Sequence, residues 1–138
     1  MKRLVGPLLV ATVFSLGCGQ ARESTEPLNE LAKRRVRDLD VVLLSSDNAV
    51  TTGKDTFTVE FRAISDGRLV DVGTVKANAT MPMTGMAPMF GPVNLERSAV
   101  PGRYLATSEL SMAGEWRLSL EWNGPTGQGS VTFSSMVH

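Results

Sequence analysis

Four of the chain's seven methionines fall within the nine-residue segment "MPMTGMAPM", which we call the methionine loop (residues 81–89). They are Met81, Met83, Met86 and Met89. A thioether sulfur is neutral, soft and polarizable, and unlike a thiolate it needs no deprotonation before it binds Cu(I). Between two and four sulfurs of one loop could gather around a single ion. The spacing therefore indicates a candidate site for Cu(I).

A second interpretation needs no metal. Methionine is a flexible side chain that fills irregular gaps in apolar cores, so the same residues could pack over one end of a fold. Zinc, calcium and magnesium prefer imidazole, thiolate or oxygen ligands, and among these the loop offers only the Thr84 hydroxyl on a side chain. On the residues alone, Cu(I) binding and packing both stay open.

Local backbone chemistry predicts that this segment is irregular. Pro82 and Pro88 have no N–H to donate, and Gly85 and Gly91 tolerate unusual φ values. We therefore expect a loop that leaves the third strand of the fold.

Three residues outside the loop are further candidates. Met112 precedes a strand and could approach the loop if both lie at one end of the fold, although a packing role at a corner is the alternative. Met136 and His138, the chain's single histidine, could bind a metal as a pair. A frayed tail is the simpler prediction for these two.

The elements that would position these residues are strands. From Asp38 onward, apolar and polar residues alternate in short runs separated by Gly, Asn and Asp turn signals. The clearest runs are "DTFTVEFRA" and "GEWRLSLEW", and the second places Trp116 and Trp122 on one core face. Tyr104 is expected in the core, with its hydroxyl bonded to the backbone at a strand corner. About seven strands and no convincing helix after residue 37 predict a single antiparallel β-sandwich, with a closed barrel as the alternative.

The first 18 residues are typical of an export signal. Lys2 and Arg3 precede an apolar run over residues 4–16, which is short for a bilayer span. The chain's single cysteine, Cys18, lies where a lipoprotein signal is cleaved and acylated, and "SLGC" resembles a lipobox. Gly19 after it favours the periplasmic side of the outer membrane. Ordinary secretion is the alternative.

The predicted organisation is thus a signal over residues 1–18, a charged linker over residues 19–37, and a sandwich domain over residues 38–138. A single cysteine allows no disulfide within the domain, so the core must suffice without one.

Composition argues against two classes of protein. With 14 basic and 14 acidic residues, the chain has no charge excess that would indicate nucleic-acid binding. Catalytic triads and general-base sites usually need histidine, and the only histidine is residue 138. We therefore expect a protein that is not an enzyme.

Two stretches, "ATMPMTGMAPM" and "PGRYLATSELSMAGEWRLSLEW", resemble the YtkA-like domain family, which includes FixH-type proteins. The resemblance covers about residues 38–135. It implies an immunoglobulin-like sandwich, export or membrane tethering, and in some members copper handling or assembly of copper-containing oxidases. Members commonly carry a histidine in or just after the methionine segment, where this chain has Ala87 and Pro88.

These observations give two functional hypotheses. The first is an envelope-tethered protein whose methionine loop holds Cu(I) for copper handling or delivery to a protein partner. Met83, Met86 and Met89 are the expected ligands, with Met81 and Met112 in reserve. The second is a metal-free interaction module that assists assembly of a membrane or efflux complex through the same apolar loop.

Overall fold

A computed structural model describes residues 26–138, and these form nine β-strands. The strands are β1 (Asn29–Val36), β2 (Leu39–Ser45), β3 (Gly53–Ala63), β4 (Thr74–Met81), β5 (Met89–Gly91), β6 (Val93–Arg97), β7 (Arg103–Leu110), β8 (Gly114–Gly124) and β9 (Gly127–Val137). No helix within this part of the chain is long and apolar enough to cross a membrane. The proposed signal and Cys18 lie outside the described residues.

The strands form two antiparallel sheets that pack face to face. The first sheet has the order β1-β2-β3-β7-β6 and the second the order β5-β4-β8-β9. The immunoglobulin-like sandwich is confirmed, and the closed barrel is wrong because the strands divide into two separate sheets. The nine strands exceed the roughly seven expected, and β1, β5 and β6 are the three that no alternating run of the sequence predicts.

Alternating side chains from both sheets build the core between them. Phe61 of β3 contacts Tyr104 of β7 and Trp122 of β8 edge-on, with ring centroids 5.6 and 5.0 Å apart. Trp116 is also buried, as its alternating run predicts. Residues 41–44 of β2 are buried without interruption, which matches their continuously apolar sequence.

The sandwich begins earlier than residue 38. Residues 29–36, assigned to a linker from their charge, form β1 and pair with β2 along its length. Leu31 and Val36 pack against the core, while Lys33 and Arg34 stay exposed. A register shift between Glu30 and Ala32 interrupts the alternation, and this bulge hides the strand from a period-two pattern.

The two ends of the sandwich differ in chemistry. At one end, which we call the tyrosine end, the Tyr104 hydroxyl donates to the Gly73 carbonyl at 2.6 Å. The expected bond between this hydroxyl and the backbone at a strand corner is confirmed. At the opposite end, the methionine end, lie the methionine loop, the turn over residues 111–113 and the last residues of β9.

Candidate metal centre

The methionine loop connects β4 to β5 as a hairpin. Met81 is the last residue of β4, Met89 is the first of β5, and the two are direct partners across the strand pair. The expectation of a wholly irregular segment is therefore wrong at both of its ends. Between them, the Met86 N–H donates to the Met83 carbonyl at 3.3 Å, and Gly85 has a φ of 73°. A glycine at that position of a four-residue turn supplies the positive φ that type II requires.

Met81 and Met89 face the interior of the sandwich. Residues directly opposite in an antiparallel pair share a face, with Cβ atoms about 5 Å apart. Both side chains pack against a small core cluster that includes Leu110 and Trp116. Gly91 lets the Leu110 side chain approach the backbone of β5, because a Cβ there would lie 2.4 Å from the Leu110 Cδ2. Met81 and Met89 therefore pack against the core, as the metal-free interpretation expects.

Each of these two sulfurs has an identifiable neighbour. Met81 lies over Gly114, where a Cβ would be 2.5 Å from the Met81 Cε. The Ser111 hydroxyl donates to the Met89 Sδ at 3.4 Å. Since a hydroxyl bond to a thioether is weak, a stronger acceptor or an ion could take the place of this contact.

The Ser111 contact brings the turn over residues 111–113 to the methionine loop. Met112 therefore lies at the same end of the fold as the loop, as its candidacy requires. Its carbonyl accepts a hydrogen bond from the Trp116 Nε1 at 2.9 Å, which fixes the backbone of the turn. Its side chain is 44% exposed, so it is not sealed in a corner.

Exposure decreases from the tip of the loop inward. Met86 is 68% exposed, Met83 is half-buried, and Met81 and Met89 are half-buried against the core. An ion arriving from solvent would meet Met86 or Met112 first. The structure thus leaves Met86 and Met112 open to approach from solvent, whereas Met81 and Met89 are partly covered by the core cluster.

The expected frayed tail is wrong, because β9 continues to Val137 and the following residue is held by the backbone. The His138 N–H donates to the Val50 carbonyl at 3.3 Å, and the Thr52 N–H donates to the His138 carbonyl at 2.8 Å. Met136 is 57% exposed and pairs with Glu115 on the neighbouring strand. All six methionines of residues 26–138 therefore lie at one end of the sandwich, a convergence that the spacing of the loop alone did not reveal.

The donor atoms at this end decide which ion fits. Within the described residues no group of three His, Cys, Asp or Glu side chains is placed to hold a metal ion. The methionine donors at this end are thioethers, which suit Cu(I) and do not suit zinc, calcium or magnesium. Residues 81, 83, 86, 89 and 112 are thus chemically consistent with Cu(I).

The sequence profile of the YtkA-like family matches residues 33–121. The chain belongs to the YtkA-like family. The match starts inside β1 and ends inside β8, so it includes the whole methionine loop and Met112. No curated protein matches the chain.

Proposed function

We propose that this YtkA-like protein binds Cu(I) through its methionine end and passes the ion to a protein partner in copper handling or oxidase assembly. One observation carries the proposal: the five proposed ligands come from two separate parts of the chain and lie at the same end of the sandwich, where the Ser111 hydroxyl contacts the Met89 Sδ at 3.4 Å. A packing role alone does not explain Met86 and Met112, which are each more than two-fifths exposed.

The proposed ligands have distinct roles. Met83, Met86 and Met89 bind the ion, and Met81 and Met112 can each replace one of them. Met81 packs over Gly114, whereas Met86 at the tip of the loop is 68% exposed and would be the first of the loop ligands to meet an incoming ion. Because thioethers bind singly and without proton release, a partner could displace them one at a time.

The proposal includes the cell envelope as the site of action. Acylation of Cys18 would tether the sandwich to the membrane on the periplasmic side, most simply at the outer membrane. In an oxidising compartment, thioethers are a workable ligand set for soft metals because thiolates are prone to disulfide formation there. The role is binding and delivery rather than catalysis.

A second candidate function rests on the same surface. The structure exposes six large apolar side chains among the described residues, and four of them lie at or beside the methionine end: Met86, Phe90, Met112 and Met136. Phe90 is 71% exposed on the outer face of β5. Clustered exposed apolar side chains are a common feature of docking surfaces. The alternative is a metal-free module that assists assembly of a membrane or efflux complex.

Anaerobic titration with Cu(I) against a competing chelator distinguishes the copper-binding function from the metal-free docking function. We expect one tight site in the purified chain and an affinity at least a hundredfold lower in the triple variant Met83→Leu, Met86→Leu and Met89→Leu. Leucine keeps the apolar volume and removes the sulfur, so the fold and any docking surface are retained. Met136→Leu is the matched control and should bind as the wild type does.

Equal affinity in the wild type and the triple variant would remove the copper hypothesis and leave the docking module. The pH dependence gives a further check. Thioethers do not titrate, so the affinity should stay constant between about pH 5.5 and 8. A drop below about pH 6.5 would instead indicate a histidine ligand, and His138 is the only one in the sequence.

A further inference from the structure

A cavity of about 80 Å³ lies between the two sheets, beneath the methionine end. Strands of both sheets contribute to its wall, which includes the apolar side chains of Phe57, Leu110, Trp116 and Phe133. None of the five proposed metal ligands lines it, so it is a feature separate from the candidate metal centre.

One polar group in the wall is unsatisfied. Ser108 of β7 lines the cavity and is 2% exposed, and its Oγ has no hydrogen-bond partner in the described part of the chain. Alternation along β7 places it on the core side with Tyr104 and Ala106. A buried hydroxyl without a partner is destabilising, and native proteins contain few of them. This hydroxyl is therefore positioned to bond something that enters the cavity.

The cavity reaches the surface between β1 and β9, the neighbouring edges of the two sheets. Ser134 and Ser135 of β9 line it and are exposed, while Leu31 and Ala32 of β1 line it from the other side. The bulge in β1 falls at this point, between Glu30 and Ala32. Bulges often occur at sheet edges beside functional sites, because they locally end regular pairing.

We propose that this cavity binds a small alcohol-like molecule: an apolar body of three or four carbon atoms with one oxygen that hydrogen-bonds to Ser108. The size follows from the volume, which is roughly half that of the ~150 Å³ apolar cavity that holds benzene. The oxygen follows from the unsatisfied Oγ. Ordered water is a poorer occupant of the inner part, because a buried water usually needs two to four polar partners, and of the three serines in the wall Ser134 and Ser135 lie at the exposed mouth.

The experiment uses the purified chain, ¹⁵N-labelled, titrated with straight-chain alcohols from ethanol to 1-pentanol. Trp116 lines the cavity and Trp122 does not, so binding should move the indole N–H resonance of Trp116 in a saturable way and leave that of Trp122 unchanged. Affinity should rise about fourfold for each added methylene and stop rising once the cavity is full.

The role of the hydroxyl is tested with 1-butanol against 1-chlorobutane, which has nearly the same shape and is a poor hydrogen-bonding partner. Ser108→Ala should lower the ratio of butanol to chlorobutane affinity about fivefold, the loss expected for one neutral hydrogen bond. The control is Thr107→Val. It removes a hydroxyl from the residue before Ser108, which lies on the opposite face of β7, and should leave the ratio unchanged.

Ser108→Ala should fold at least as stably as the wild type, since it removes an unsatisfied polar atom. Either of two results overturns the proposal. One is the absence of saturable shifts at Trp116. The other is an unchanged ratio in Ser108→Ala, which would mean that the Ser108 hydroxyl does not bond the bound alcohol.

Discussion

The tyrosine end and the methionine end of this sandwich are held together in different ways. At the tyrosine end, Tyr104 donates to the Gly73 carbonyl at 2.6 Å, and Asp71 accepts the Gly73 N–H at 2.9 Å. Arg97 donates to the other carboxylate oxygen of Asp71 at 3.1 Å. At the methionine end, the contacts of the loop side chains are mainly apolar, with one weak hydroxyl bond from Ser111 to the Met89 sulfur at 3.4 Å.

The two ends therefore differ in how easily their side chains can rearrange. Directional bonds to backbone groups fix a single arrangement, because each group has one good partner and loses free energy without it. Thioethers with several rotatable bonds can repack at little cost. The tyrosine end can therefore hold the strands in register while the side chains of the methionine end change to accommodate an ion or a partner.

Matched glycine substitutions should give the largest difference between the two ends in the loss of unfolding free energy. Gly102 at the tyrosine end has a φ of 87°, and a Cβ there would lie 2.7 Å from the Val70 nitrogen. Gly102→Ala combines left-handed strain with a collision against rigid backbone, so we expect a loss of about 3–5 kcal/mol in the free energy of unfolding. Urea denaturation followed by circular dichroism measures it.

Gly85→Ala is the counterpart in the methionine loop. Gly85 has a φ of 73°, but a Cβ there would meet nothing within 4 Å. Only the backbone strain remains, so the cost should be about 1 kcal/mol. Equal losses in the two variants would mean that the ends do not differ in rigidity.

Side-chain substitutions should give the next largest difference in stability between the two ends. Tyr104→Phe leaves the buried Gly73 carbonyl without its 2.6 Å donor, and we expect a loss of about 2 kcal/mol. Met89→Leu keeps the apolar volume against Leu110 and Trp116 and should cost less than about 1 kcal/mol. Thermal unfolding of both variants checks this order. A greater loss in Met89→Leu would show that its sulfur contributes to packing in a way that leucine cannot replace.

The strongly alternating runs of the sequence predicted much of this fold. Trp116, Trp122 and Tyr104 lie in the core because strands that bury one face must alternate. β1 was missed because its basic residues resemble a linker and its bulge breaks the alternation. β5 was missed because three residues between two prolines carry no periodic signal.

The candidate site was less predictable, because it depends on contacts between distant residues. The spacing of the loop methionines indicates a soft-metal site, but only the pairing of Met81 with Met89 shows which sulfurs face inward. Met136 joins the same end through the long pairing of β8 with β9. For the cavity, a signal was present in the sequence: Ser108 falls on the core side of an alternating strand, where an apolar residue is the usual choice.

Lowering the pH should give the smallest difference in unfolding free energy between the two ends. The Gly73 N–H, more than the charge of Arg97, holds the pKa of Asp71 below its usual value. Its contribution to stability is therefore complete above the unfolded value of about 3.9 and is lost as the pH falls through the lower folded pKa. Because the Asp71 side chain is 40% exposed, solvent screening limits the effect to below about 1 kcal/mol.

Unfolding free energies of the wild type and Asp71→Asn, measured between about pH 7 and 2, should therefore converge as the pH falls below about 4. Burial raises the pKa of Tyr104. The difference in unfolding free energy between the wild type and Tyr104→Phe should therefore narrow above about pH 10, where the tyrosine of the unfolded chain ionises. Met89→Leu is the control from the methionine end, and its gap should stay constant across the range because a thioether carries no titrating proton. A pH-dependent gap for Met89→Leu, or a constant one for Asp71→Asn, would contradict the assignment of charge-dependent stability to the tyrosine end.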